Sequence, residues 1–398
     1  MSKVVFYGFP MYAHMIQTLP LVQELVSRGE EVIYFANDKY KHQVEKAGAT
    51  FRDYLSEYSD DPSELAQNYH EFMEKVYKII QDALVNLEKI KPDYLIYDRS
   101  AMWVPVIAEN LNLPTVCTIS SIVLNQQVLS LQPAIERLIF YSKRPSLVSL
   151  LPSYLRALAI WRRIRKDFSF TKKFLPTSQA DMVLANYSRQ FQPFVDSLDD
   201  RYKFIGWLSS KSFRENDIDF PWDKIKGEKL IYISLGTTFN RDSNFFMKCF
   251  DSFKDSEYQV VISKGKGKHL SIDNEAPPNV ILADWVPQLE ILERADVFVT
   301  QGGTSSVCES LNFGCPVVVV PQMAEQHIMG HWVEKIGVGK HLKYGNVSVS
   351  NLRSAVDEVI ANTEYRENSI KIGDSFRSSG GVQTAVDEIY KLKVKLGI

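Results

Sequence analysis

Short apolar runs recur along the chain, and most of them lack the polar alternation of a half-exposed strand. Runs of that kind belong to strands buried on both faces of a parallel sheet. The pattern predicts strands at 3–8, 31–36, 93–97, 115–119 and 181–185, then at 229–234, 258–262, 279–282, 296–299 and 316–320. Stretches with apolar residues at helical spacing separate them, among them 17–28, 64–91, 244–254, 288–294 and 305–313. A strand-then-helix rhythm builds doubly wound α/β domains whose ligands sit beyond the carboxyl ends of the strands.

The rhythm breaks between 206 and 228, where Gly206-Trp207-Leu208 leads into a polar, charged stretch and then Phe220-Pro221-Trp222. The expected organisation is an N-terminal domain at 1–205, a linker at 206–228 and a C-terminal domain at 229–381. A last helix at 382–398 follows Gly380-Gly381 and is expected to pack back on the N-terminal domain. A length of 398 residues agrees with two cores rather than one. With 45% apolar and 24% charged residues the chain folds rather than staying disordered, and a net charge of -2 gives no footprint for nucleic acid. Cys117, Cys249, Cys308 and Cys315 have no paired spacing, which reads as buried thiols of a reducing compartment. With a strand expected from Lys3, no signal peptide is expected, and no apolar run approaches the ~20 residues of a membrane span. The expected location is cytoplasmic.

In the second half, the strand Val297-Phe298-Val299-Thr300 is followed by Gln301-Gly302-Gly303 and then by Thr304-Ser305-Ser306, which opens a helix. Small residues let a backbone approach closely, and first-turn amides at the positive helix end point at an anion. Alone, the segment could be a plain capped turn; its neighbours change that. Asp284-Trp285-Val286-Pro287-Gln288 lies between strand and helix, so Trp285 can offer a face to a base and Gln288 can read the edge of a pyrimidine. After the phosphate helix, a buried strand ends in Pro321-Gln322-Met323-Ala324-Glu325-Gln326, with a carboxylate and an amide suited to sugar hydroxyls. A third loop, Ser234-Leu235-Gly236-Thr237-Thr238, adds backbone and hydroxyl donors.

WVPQ, TQGGTSS, Glu309 and PQMAEQ in this order and spacing resemble the inverting, UDP-sugar-dependent glycosyltransferases of the GT-B fold, nearest to bacterial macrolide and flavonoid glucosyltransferases. The resemblance implies two Rossmann-like domains facing across a cleft. It implies that Trp285 stacks on uracil, with Val286 and Gln288 completing base recognition, and that Glu309 accepts from the ribose hydroxyls. Thr237, Gly303, Thr304, Ser305 and Ser306 would surround the diphosphate, and Glu325 and Gln326 would hold the transferred sugar. The family usually has His before the Gly-Gly pair; here it is Gln301, which donates a hydrogen bond of similar reach and never carries charge. The UDP-sugar is a co-substrate, and no cofactor is expected. The partners implied are UDP-glucose and a small hydrophobic acceptor.

The first predicted strand is followed by Phe9-Pro10-Met11-Tyr12-Ala13-His14, which puts His14 on a loop facing the crevice, ahead of a helix from about Gln17. A lone His is more often a packed residue, yet glycosyl transfer needs a base of near-neutral pKa, and His suits it. A buried strand ends at Asp98, whose carboxylate can orient an imidazole and stabilise its cation. The resembling family carries a His-Asp pair at these two places, which implies His14 as base and Asp98 as its orienter. Ala13 and Gln17 stand where that family commonly has Gly and Pro.

Other signals carry less. Asp217-Ile218-Asp219 has the spacing of a metal-binding DxD but sits in the linker. His327 and His331 are four apart, with no third ligand evident and Gly330 interrupting the turn, so no metal is expected. The basic amphipathic stretch 154–166 has the character of helices that lie on anionic membranes, although Arg and Lys stems more often cover a domain surface. It keeps a membrane-associated glycolipid synthase as an alternative enzyme, as Gln301 keeps a sugar-nucleotide-binding protein without turnover. The acceptor pocket is expected from 55–75 and 120–150, where no motif guides the reading.

Overall fold

Valine, isoleucine, leucine and tyrosine fill the central strands, and in Leu230–Ser234 and Tyr94–Asp98 every residue is buried. Such strands need cover on both faces, which the intervening helices supply. The computed structural model describes residues 2–54, 68–132, 147–168, 170, 176–208, 211–214, 218–226, 229–236, 243–265, 275–322, 324–343 and 347–398.

The first sheet contains β1 (Lys3–Tyr7), β2 (Glu31–Ala36), β3 (Thr50–Asp53), β4 (Tyr94–Asp98), β5 (Thr115–Ile119), β6 (Met182–Ala185) and β7 (Tyr202–Phe204). The second contains β8 (Leu230–Ser234), β9 (Gln259–Ser263), β10 (Val280–Ala283), β11 (Val297–Thr300), β12 (Val317–Val319) and β13 (Gly339–His341). Their orders are β3-β2-β1-β4-β5-β6-β7 and β10-β9-β8-β11-β12-β13, with every pairing parallel. Counted from its own first strand, the second sheet runs 3-2-1-4-5-6, the doubly wound order, and the first adds a seventh strand at its end. The chain reverses direction across the sheet between β1 and β4, and again between β8 and β11. Those two crevices are where ligands bind in this architecture.

All ten expected strands are present. The three that the apolar pattern missed, β3, β7 and β13, lie at sheet edges and read Thr-Phe-Arg-Asp, Tyr-Lys-Phe and Gly-Lys-His. Edge strands are short and carry polar residues, so they leave no apolar run to detect. One helix starts earlier than its periodicity implied. It spans Tyr12–Ser27, with the Met11 carbonyl accepting from His14 N–H and Met15 N–H, each at 3.0 Å. His14 is therefore in the first turn of a helix rather than on a loop. Residues 12–14 face the cleft half-exposed, which hides them from a pattern built on burial.

A second correction concerns His327 and His331. The helix Ala324–Lys335 runs unbroken through Gly330, and a third imidazole, His341 of β13, lies against both histidines.

The helix Gly381–Leu396 crosses to the first sheet. Ala385, Val386 and Ile389 are buried in one apolar cluster with Leu21, Val22 and Leu25, and Asp387 pairs with Arg28 at 2.5 Å. Within the helix Leu147–Asp167, Ala157, Ile160 and Ile164 are buried, and Arg163 lies over the Tyr77 ring at 3.8 Å. Part of the basic stretch 154–166 thus serves internal packing. Among the described residues no helix is long and apolar enough to cross a membrane. All four cysteines are buried thiols outside any disulfide.

Candidate active site

The first crevice is built on one ion pair. Asp98 ends β4, buried, with Oδ1 accepting from the Ser100 N–H at 2.8 Å and Oδ2 2.9 Å from His14 Nδ1. Burial pushes the His14 pKa down, but the charge and hydrogen bond of Asp98 outweigh it, with a smaller push from Glu325 and an opposing one from Arg99. The result lies above the usual 6.5. Burial raises Asp98 in turn, while His14 and the bonds from Ser100 lower it to a net value below 3.8. With Nδ1 held, Nε2 is the nitrogen left to meet a ligand. The His14 side chain is 24% exposed, and it lines the cleft.

The second crevice is built from backbone. Gly236 after β8 has φ +73, and Gly302 after β11 has φ +87. A Cβ on Gly302 would lie 2.6 Å from a Val319 methyl carbon, so both conformation and packing require glycine there. Gly303 caps the helix Thr304–Asn312 without any side-chain hydrogen bond, which leaves its first-turn amides open to a ligand. Thr304, Ser305 and Ser306 stand half-exposed on the cleft. Gln301 rests its Nε2 against Gly236, and its Oε1 is buried with no hydrogen-bond partner. Thr237 lies outside the described residues, as does Asp217.

Around these turns the remaining expected residues take unequal positions. Trp285 lines the cleft and meets Tyr12 of the first domain edge to face, ring centroids 5.2 Å apart. The Val286 side chain is buried in the core, so only its main chain is left for a ligand. Gln288 accepts from the Tyr232 hydroxyl at 2.9 Å and donates to Glu309 Oε2 at 2.5 Å. The other Glu309 oxygen takes a hydrogen bond from Arg214. Glu309 and Arg214 are only 4% and 13% exposed, so this is a largely desolvated ion pair. Glu325 is exposed at the start of its helix, whereas Gln326 is buried with Oε1 accepting from the Gln322 N–H at 2.7 Å.

One cavity of about 820 Å³ joins the two crevices. Tyr12, His14, Asp98, Arg99, Ser121 and Leu124 line one side, and Gly236, Trp285, Gln288, Gln301, Thr304, Ser305, Ser306, Glu309, Glu325 and Gln326 line the other. Every described residue expected to bind the donor or to move the proton borders it. Arg99 and Arg214 were missed. Arg99 directly follows the Asp98 strand end, a position where α/β ligand contacts concentrate. Arg214 sits in a polar linker with no motif around it, and only the fold reveals its partner. Residues 55–67 and 133–146, within the expected acceptor segments, lie outside the described residues.

A Bacillus subtilis protein, the uncharacterized UDP-glucosyltransferase YojK, is 33% identical over 404 residues, covering 98% of this chain and 97% of that protein. The chain belongs to the UDP-glycosyltransferase family. The NDP-glycosyltransferase YjiC of Bacillus licheniformis is 30% identical over 409 residues, covering 100% of this chain and 99% of YjiC. The sequence profile described as Erythromycin biosynthesis protein CIII-like, C-terminal domain, matches residues 248–392. Among solved structures, the glycotransferase of kitacinnamycin superposes with a TM-score of 0.81 at 26% identity, covering 98% of each chain. The architecture is GT-B, and the activity of this UDP-glycosyltransferase family member is glycosyl transfer.

Proposed function

We propose that the protein moves glucose from UDP-glucose to a hydroxyl of a small hydrophobic acceptor, a macrolide, flavonoid or other phenol, with inversion and without a metal ion. The observation that carries the reading is the single cavity with the His14–Asp98 pair on one wall and an amide-rich turn on the other. The name of YojK favours UDP-glucose. Met11, Ile16, Ile122 and Leu124 give the first-domain wall an apolar character that favours a hydrophobic acceptor.

In this mechanism His14 Nε2 takes the proton of the acceptor hydroxyl as its oxygen bonds to the anomeric carbon. The bond from that carbon to the diphosphate oxygen breaks on the opposite side, so an α-linked donor gives a β-glucoside. Asp98 keeps the proton on Nδ1 and stabilises the imidazolium that forms. Charge develops on the departing UDP, where the first-turn amides and the hydroxyls of Thr304, Ser305 and Ser306 meet it, with Gly303 and Gln301 alongside. The positive helix end takes the part that a divalent ion plays at other diphosphates. Trp285 stacks on uracil beside the Val286 main chain and Gln288. Glu309, already fixed by Gln288 and Arg214, accepts from the ribose hydroxyls. Glu325 and Gln326 hold the hexose.

The test is a donor-by-acceptor screen read by product mass, repeated with His14→Ala and with EDTA. The His14 variant is expected to lose transfer by roughly 10²–10⁴-fold while binding UDP normally, and EDTA is expected to leave the rate unchanged. Full activity in the variant would remove His14 from the mechanism.

A further inference from the structure

The far half of the helix Ala324–Lys335 carries chemistry that glycosyl transfer does not use. His327 and His331 stand one turn apart on it, Glu334 follows, and the edge strand β13 brings His341 alongside. The His341 ring packs at 75° to that of His327 and at 76° to that of His331, with centroids 5.2 Å and 4.7 Å apart. His327 Nδ1 lies 3.2 Å from His341 Nε2, and the His341 main-chain N–H donates to Glu334 Oε1 at 3.1 Å. One ligand atom from each of His331, Glu334 and His341 lies within 4.8 Å of the others. Gly330 makes this possible: a Cβ there would come within 2.5 Å of the His341 ring.

We propose that His331, Glu334 and His341 bind one divalent transition-metal ion, with zinc the best match, and that His327 orients His341 from behind. Two imidazoles and a carboxylate suit zinc, nickel or cobalt rather than magnesium or calcium, which take all-oxygen sets. Zinc bonds of about 2.0–2.2 Å in a tetrahedron bring ligand atoms to about 3.3 Å of one another. Half-exposed His331 and exposed Glu334 can swing inward to close that gap, whereas His341 is buried and held. Exposure of Glu334 also leaves an entry path and room for water as the fourth ligand. A hydrogen bond such as that of His327 behind a ligating imidazole fixes its tautomer and direction. None of the four residues lines the cleft. The ion therefore ties the helix bearing Glu325 and Gln326 to the edge of its sheet and stays out of the chemistry.

The full chain, stripped with a chelator and dialysed, is titrated with zinc chloride by calorimetry and with cobalt(II) by visible absorption. One saturable ion per chain is expected, and zinc should raise the unfolding temperature. His331→Asn and Glu334→Gln alter exposed or half-exposed positions, so both variants fold; each should weaken zinc binding tenfold or more. His327→Asn should cost roughly 10–100-fold, and His42→Asn nothing. Absence of saturable zinc binding, or wild-type affinity in both His331→Asn and Glu334→Gln, would overturn the assignment.

Discussion

The two sheets wind in the same order and open the same kind of crevice, between β1 and β4 in one and between β8 and β11 in the other. What fills them differs in kind. The first holds a titrating side chain and the buried carboxylate that tunes it. The second holds glycines at positive φ, an uncapped helix start and short hydroxyl side chains. Moving a proton requires one group whose pKa can be set, and that takes a side chain with a partner. Holding an anion requires several donors at one spot, which a main chain supplies once side chains are out of the way. Under the proposed mechanism, the same topology yields an acid–base site or an anion site according to whether the strand ends carry side chains or lack them.

The largest effect expected from breaking this contrast comes from Asp98→Asn. An amide at 98 removes the two main influences that raise His14, its charge and its hydrogen bond, while burial and Arg99 still push the pKa down. As the proposed base, His14 must be neutral to accept a proton, so in the native enzyme the rate should climb with pH through a pKa above 6.5. In the variant the acid limb should move below that value. Turnover should fall by roughly 10²–10⁴-fold, since the imidazolium loses its counter-charge and its tautomer. A pH profile of kcat/KM reads both changes, and a lost rate with an unmoved limb would mean that Asp98 only holds the ring in place.

Next in size is the second wall's own ion pair. Glu309→Gln leaves the Arg214 guanidinium largely desolvated without its anion. Removing one member of such a pair costs about 3 kcal/mol, so denaturant unfolding should show that loss and UDP affinity should fall with it. His14→Ala, in contrast, should leave UDP affinity alone. If Glu309→Gln lowered turnover and spared binding, the assignment of binding to one wall and proton transfer to the other would fail.

The apolar pattern made the inner strands of both sheets legible, because such strands are selected for burial on two faces and little else. It missed β3, β7 and β13, whose residues answer to solvent. The turn from Gln301 to Ser306 was legible because close backbone approach demands glycine and small hydroxyls at contiguous positions. Arg214 and His341 were not. Arg214 meets Glu309 across 95 residues and His341 of the edge strand meets His327 of the preceding helix across 14, and no helical or strand spacing encodes either meeting. His14 was assigned correctly to the first strand's end but placed on a loop, since the first helical turn there faces the cleft and has no buried stripe.

The smallest expected effect tests Gln301, a longer side chain set against the glycine turns of the second wall. Gln301 lies against Gly236 at the anion turn and is neutral at every pH. Gln301→His puts at that position a group that can carry charge. A hydrogen bond from a charged donor contributes about 1 kcal/mol more than a neutral one, which is roughly a fivefold gain in UDP affinity. That gain should appear near pH 6, where an imidazole of ordinary pKa about 6.5 is mostly protonated, and vanish by about pH 8. UDP titrations at both pH values separate charge from shape. Equal gain at both would credit the ring's shape, and no gain at either would mean that the helix amides already meet the diphosphate's need for donors. In that event the second wall works through its main chain alone, and Gln301 is tolerated there because the backbone leaves it nothing to add.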